Sequence, residues 1–286
     1  MRSYQSHIVI VPGKESSATI DFSPGKAANI LRAFLSEKLG QSGLDGYVVG
    51  LSGGIDSAVS TALAVAAIGQ GKVLAVMMPY RTSSPDSATD ALALAHRLGI
   101  EHRQVDISPM IDAYFDDIDK SNRLRAGNKM SRERMAILFD IAHQTNCLVL
   151  GTGNRTEICL GYTTWYGDSA CSVNPIGELY KTEVRLLAEE LGVPKAIRNK
   201  PPTADLWSGQ TDEGEIGVTY DEIDRLLRRL IDDGITSRRA LEKEGFEAGS
   251  INRVVTLLNR NAFKRRLPDV ASLGRVVIPD CIELCE

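Results

Sequence analysis

Three short stretches carry side chains suited to handling phosphate and a divalent cation. The first is Gly50-Leu51-Ser52-Gly53-Gly54-Ile55-Asp56-Ser57. Adjacent glycines let the backbone turn where a side chain would clash, and they bare its N–H groups. Where such a turn opens a helix, those N–H groups and the positive end of the helix dipole converge on one spot, which suits phosphate. Ser52 and Ser57 add hydroxyl donors. Asp56 would repel phosphates unless a cation sits between them. A hard cation such as Mg2+, held by one or two carboxylates plus phosphate oxygens, resolves that conflict. An ordinary strand-to-helix turn using Gly-Gly for geometry alone is the bland alternative. The stretch lacks the Gly-Lys-Ser/Thr of the common phosphate loop and the Gly-x-Gly-x-x-Gly spacing of the dinucleotide fingerprint.

The second stretch is Gly151-Thr152-Gly153-Asn154-Arg155-Thr156-Glu157, a glycine-rich turn that delivers another carboxylate. Glu157 reads either as a partner for Asp56 or as an acid favourably placed in the first turn of a helix. The third is Tyr180-Lys181-Thr182. A cation near a helix N-terminus opposes the dipole, so Lys181 is either solvated or reaching for phosphate.

These stretches need a scaffold that brings strand ends together. Val48 to Leu51, Val73 to Met78, Ile100 to Val105 and Cys147 to Leu150 read as strands. The continuous apolar character of the first two marks a parallel sheet covered on both faces. Helices alternate with them. Pro24 to Gly40 places Ile30, Leu31, Phe34, Leu35 and Leu39 at helical spacing, with Gly40 as its stop. Residues 58–68 form a buried-type helix, and one from Pro85 to Leu98 turns Ala88, Leu92, Ala95 and Leu98 inward. A longer helix runs from Ser131 to about Thr145 with Met135, Leu138, Phe139 and Ala142 on one side, and Gly127-Asn128 precedes it. Strand–helix alternation of this kind implies an α/β fold, a doubly wound, mostly parallel sheet flanked by helices, with ligands at the carboxyl edge.

The rest of the chain is less specific. Ile8 to Val11 is an apolar run in a polar lead-in. Asp112, Asp116, Asp117 and Asp119 read as a solvated helix face, because the calcium-loop pattern with its central glycine is absent. Residues 199–219 carry Pro, Gly and acids without a period and read as a lid, with Leu206 and Trp207 to bury on closing. Helices follow around Ile223 to Ile231 and Ile251 to Leu258, and Phe263-Lys264-Arg265-Arg266 reads as a basic helix end.

Composition bounds the rest. A chain of 286 residues with 43% hydrophobic and 24% charged residues builds a sizeable core. A net charge of −4 argues against a nucleic-acid binder. No run of about 18 apolar residues predicts a membrane span, and the N-terminus lacks a signal-peptide core, so the expectation is cytoplasmic. Five cysteines without a Cys-x-x-Cys pair read as packing thiols, with Cys281 and Cys285 close enough in sequence to clip together.

Taken in order, these motifs resemble the NAD synthetase family of ATP pyrophosphatases that carry Ser-Gly-Gly-x-Asp-Ser. Other ligases share the first motif. The narrowing features are Gly151 to Glu157, Leu160-Gly161-Tyr162, Tyr166-Gly167-Asp168, Asn174-Pro175-Ile176-Gly177, Tyr180-Lys181-Thr182, Pro202-Thr203-Ala204-Asp205-Leu206 and Tyr220-Asp221-Glu222-Ile223-Asp224. The resemblance covers about residues 24 to 266. It implies one domain over residues 1–286, with helix 24–40 and helices 220–266 as peripheral elements. It also implies ATP-dependent amidation of deamido-NAD by ammonia through an adenylated carboxylate, releasing AMP and pyrophosphate. By that likeness Gly50, Leu51, Ser52, Gly53, Gly54, Ile55, Asp56 and Ser57 cradle the ATP phosphates, with Thr152, Lys181 and Thr203 also on ATP. Asp56 and Glu157 hold Mg2+. Arg132, Trp165, Asp168, Phe263 and Lys264 bind deamido-NAD, and Asp56, Glu157, Lys181 and Asp168 form the catalytic set. Family members are typically homodimers. Trp165 stands where some members have Lys, and Phe263 where many have His. With the first motif near residue 50, there is no room ahead of it for an amidohydrolase domain, so ammonia is the expected nitrogen source. The alternatives are a related ligase acting on another acceptor, and a non-catalytic adenine-nucleotide-binding module.

Overall fold

A computed structural model of the chain describes residues 22–115, 122–203 and 211–268, together with 270, 271 and 273. The Ile8 run, Asp116, Asp117, Asp119, Leu206, Trp207 and the Cys281/Cys285 pair lie outside the described residues. Four parallel strands, β1 (Gly46–Gly50), β2 (Val73–Met77), β3 (Glu101–Gln104) and β4 (Cys147–Leu150), form one sheet in the order β3-β2-β1-β4. Alternate side chains feed two cores. Tyr47, Val49, Val73, Ala75 and Met77 face one, and Val48, Leu74 and Val76 face the other. The central strands must therefore be apolar at every position, as their sequences are.

The first core is covered by α1 (Pro24–Ser42), α2 (Ile55–Ile68), α3 (Pro85–Leu98) and α7 (Lys181–Glu190). The second is covered by α4 (Ser108–Tyr114) and α5 (Arg123–Gln144). A third apolar cluster joins α6 (Arg155–Leu160) to α10 (Tyr220–Leu227), α11 (Arg238–Lys243) and α12 (Ala248–Arg260). Two short helices, α8 (Lys195–Arg198) and α9 (Asp212–Ile216), and helical turns at Gln70–Lys72, Arg228–Asp232 and Ala262–Arg265 are also described.

Several local expectations are corrected. Helix α1 passes through Gly40 and stops at Gly43, whose φ of 68° gives the left-handed cap. Ile30 and Phe139 are exposed. In α3 the buried face is Ala91, Leu94 and Ala95, and Leu92 is exposed. Helix α5 begins at Arg123, so Gly127 is buried inside it. Asp112 is half-buried and not free on the helix face: it accepts from Tyr80 Oη at 3.0 Å and pairs with Arg81. Part of the loop read over 199–219 is helical, because α9 buries Asp212 and Ile216.

The chain runs outward through β1, β2 and β3, then returns to place β4 on the other side of β1. That reversal opens a crevice between the carboxyl ends of β1 and β4, where open α/β sheets bind ligands.

Candidate functional site

The crevice is a cavity of about 500 Å³. The turn after β1 forms one wall. Gly53 adopts a φ of 81°, and a Cβ there would lie 2.2 Å from the Ser87 carbonyl oxygen, so only glycine lets the turn pack on α3. Ser52 and Ser57 brace it: Ser57 Oγ donates to the Gly54 carbonyl at 3.0 Å, and Gly54 N donates to Ser52 Oγ at 3.2 Å. The N-terminus of α2 thus opens on the cavity, which Gly50, Leu51, Ser52, Gly54, Ile55, Asp56 and Ser57 line.

The turn after β4 forms the facing wall. Asn154 caps α6 by accepting from Glu157 N at 3.0 Å, while Glu157 Oε2 accepts from Asn154 N at 3.2 Å. The same Asn154 donates through Nδ2 to Asp56 Oδ1 at 2.9 Å and ties the two walls together. Lys181, the first residue of α7, completes the centre. Its Nζ donates to Asp56 Oδ2 at 2.5 Å and to Glu157 Oε1 at 3.2 Å. It is 2% exposed, which rules out a solvated surface lysine.

Charge at this centre is unbalanced. Asp56, Glu157 and the buried Asp212 face a single ammonium. Burial pushes the Glu157 carboxyl up and Lys181 pulls it back, but Asp56 adds to the rise, so it stays above the usual carboxylate range. Burial works to lower Lys181, yet Asp56 and Glu157 outweigh that and hold it above the usual lysine range. No group of three acids, histidines or cysteines among the described residues forms a self-sufficient metal cage. An all-oxygen carboxylate pair fits a cation that takes its remaining ligands from substrate phosphates and water, and such a cation would favour the ionised form of Glu157.

Four further residues belong here, and sequence reasoning passed over them as site residues. Asn154 was legible in principle, since Asn-x-x-Glu ahead of a helix is a capping box. Tyr220 and Asp224 stand in one of the motifs that carry the resemblance but had no role assigned, and Asp212 carried no signal. Asp224 accepts from Thr156 Oγ1 at 2.5 Å and from Thr182 N at 2.8 Å, and so pins the first turns of α6 and α7 together.

The far end of the cavity is lined by Thr163, Thr164, Asp168 and Lys264. Asp168 is held by Ser131 Oγ at 2.9 Å and Thr164 N at 2.7 Å. Lys264 Nζ donates to the Gly161 and Thr163 carbonyls at 2.8 and 2.6 Å, so it closes this loop and does not decorate a helix end. Thr152 and Thr203 also line the cavity. Arg132, Trp165 and Phe263 do not line it; they gather beside it. Arg132 Nε donates to the Trp165 carbonyl at 3.2 Å, and the Trp165 and Phe263 rings meet edge-on at 5.2 Å. Tyr166 stacks on Trp165 at 4.5 Å.

A glycine turn at a helix N-terminus, set at a strand-order reversal and faced by two carboxylates and a buried lysine, defines an α/β enzyme that works on a phosphate-bearing nucleotide. Residues 27–268 match the family described as NAD synthase, and the chain belongs to that family. It is 45% identical over 256 residues to an NH3-dependent NAD+ synthetase of Fusobacterium nucleatum subsp. nucleatum, covering 90% of this chain and 99% of that one. A second such enzyme, from Trichlorobacter lovleyi, is 47% identical over 88% of this chain and 92% of its own. Among solved structures, an NMN synthetase from Francisella tularensis superposes with a TM-score of 0.78 at 36% identity, over 88% of this chain and all (100%) of that one. An NH3-dependent NAD synthetase from Campylobacter jejuni does so at 0.75 and 32% identity, with the same coverage. No described helix is long and apolar enough to cross a membrane.

Proposed function

We propose that the cavity binds ATP and deamido-NAD side by side and makes NAD from ammonia, in one catalytic domain spanning residues 1–286. The observation that carries this reading is the buried Lys181 held between Asp56 and Glu157 at the mouth of the β1 turn. A carboxylate resists attack by an amine until its oxygen becomes a good leaving group, and transfer of AMP from ATP achieves that. Negative charge then builds on the transferring phosphorus and on the departing pyrophosphate, so fixed positive groups lower the barrier. The turn from Gly50 to Ser57 receives the phosphates, Lys181 counters their charge, and Thr152 and Thr203 contact ATP from the facing wall. Asp56 and Glu157 would hold Mg2+, which supplies Lewis-acid neutralisation of the phosphates when bound. Arg132, Asp168 and Lys264, with the aromatic group of Trp165 and Phe263, receive deamido-NAD. Asp168 keeps its carboxylate beside the nicotinate end, where ammonia must approach. The working form is a homodimer in the cytoplasm.

The test combines ATP, deamido-NAD, MgCl2 and either ammonium or glutamine, and follows AMP and NAD. NAD formed with ammonium and not with glutamine supports the reading. No AMP in either mixture, with ATP still bound, overturns it. Because one similar structure is described as an NMN synthetase, deamidated NMN belongs in the same assay as a competing acceptor.

A further inference from the structure

Lys181 has a contact that its two carboxylate partners do not explain. If Asp56 and Glu157 turn to a cation, the buried ammonium loses both hydrogen-bonded partners as it faces phosphate and is left with the more distant charge of Asp212. A buried, unpaired ammonium is costly and drifts toward any other acceptor. One further surface stays in place. Lys181 Nζ lies 5.1 Å from the centroid of the Tyr220 ring. Tyr220 is fully buried, and its hydroxyl donates to Asp212 Oδ2 at 3.1 Å. Tyr162 Oη lies 3.3 Å from Asp212 while donating to Glu215 Oε2 at 2.6 Å, and the Asp212 N–H donates to the Pro202 carbonyl at 3.1 Å. The ring is therefore fixed at its far edge by Asp212, the first residue of α9, which is itself tied to Pro202. A ring face attracts a cation through its quadrupole, without competing for the hydrogen bonds that phosphate oxygens would accept.

We propose that Tyr220, anchored by Asp212, is a positioning residue for Lys181: its ring face seats the ammonium while Asp56 and Glu157 engage the cation, and keeps Nζ aimed at the phosphates. This rests on the assignment of Lys181 to ATP. The seat acts on MgATP and not on the dinucleotide, because Tyr220 lies at the Lys181 end of the cavity and not among the Asp168 and Lys264 contacts.

The test measures MgATP dissociation constants by calorimetry on the full chain without ammonium or dinucleotide, so nothing turns over. Tyr220→Phe is compared with phenylalanines carrying one, two and three ring fluorines, which keep the shape while weakening the quadrupole. Loss of the seat corresponds to roughly 3- to 30-fold in affinity. The expected result is a graded rise in the MgATP constant of that size, with unchanged thermal midpoint and unchanged deamido-NAD affinity. In a Lys181→Met background the same series becomes flat. If Tyr220→Phe does not fold, ring-fluorinated tyrosines at 220 give an equivalent series with the hydroxyl retained. A flat series in the Lys181 protein, or an equal slope with Lys181→Met, overturns the proposal. If Lys181→Met alone binds MgATP as tightly as the parent, the phosphate assignment fails, and the proposal falls with it.

Discussion

Asp224 gives the sharpest quantitative expectation, because one buried carboxylate holds two helix starts. It is 1% exposed and accepts from Thr156 Oγ1 and Thr182 N, while Thr156 Oγ1 accepts from Lys181 N at 2.9 Å. Asp224→Ala strips the acceptor from one buried donor, Thr156 Oγ1, and one half-buried donor, Thr182 N. Hydrogen bonds to a charged group contribute about 1.5–3 kcal/mol each, so the pair contributes about 3–6 kcal/mol. Burial holds the carboxyl above its usual range, although Thr156 and Thr182 pull it back. Removing the acid recovers some of that desolvation, which places the expected loss near the lower end, about 3 kcal/mol. A domain of this size loses about 2–4 °C per kcal/mol, giving a fall of about 6–12 °C. Asp224→Asn keeps one acceptor oxygen and should lose about half as much. Thermal unfolding of ligand-free protein at pH 7 measures both. Because α6 carries Glu157 and α7 carries Lys181, kcat/KM should fall at least tenfold alongside, a loss of about 1.4 kcal/mol in transition-state binding. A shift below about 2 °C in Asp224→Ala, with kcat/KM unchanged, would refute the view that this acid sets the geometry of the centre.

Other consequences follow from the same geometry. Lys181→Met removes the cation facing the phosphates and should lower kcat for AMP release by about 10²–10³-fold in the ammonium assay, the usual loss for one preorganised electrostatic group. Gly53→Ala places a Cβ 2.2 Å from the Ser87 oxygen at a φ of 81°. That conformation alone costs about 1–2 kcal/mol, and calorimetry should show ATP binding weakened at least tenfold. Chelation of divalent ions should abolish AMP formation and their return restore it, with circular dichroism unchanged. Burial pushes the Cys171 thiol up to about 11, so at pH 8 about one molecule in a thousand carries the thiolate. Peptide-resolved mass spectrometry should therefore find Cys171 resistant to iodoacetamide at pH 8 and increasingly labelled as the pH rises toward 11.

The sequence alone determined whatever local sterics and periodicity control. The Gly53-Gly54 turn, the strand that leads into it through Val48 and Val49, the proline-started helices at Pro24 and Pro85, and the glycine turn at Gly151 are all readable, because each depends on a few neighbouring residues. Inward and outward faces were less secure: Ile30, Leu92 and Phe139 keep helical spacing but are exposed among the described residues. Gly127 read as a boundary because its intrinsic cost in a helix is real. It is buried within α5, where tertiary packing outweighs that cost. What only the tertiary structure decided is the charge centre. Asp56, Glu157 and Lys181 come from three separate elements and meet because β4 returns beside β1. That meeting turned Lys181 from an ambiguous surface cation into a buried one. Asp212, Tyr220 and Asp224 carry no local mark of their roles. Each acts through residues far away in the chain, and the pairing of a buried acid with its distant donors is fixed by packing and not by spacing.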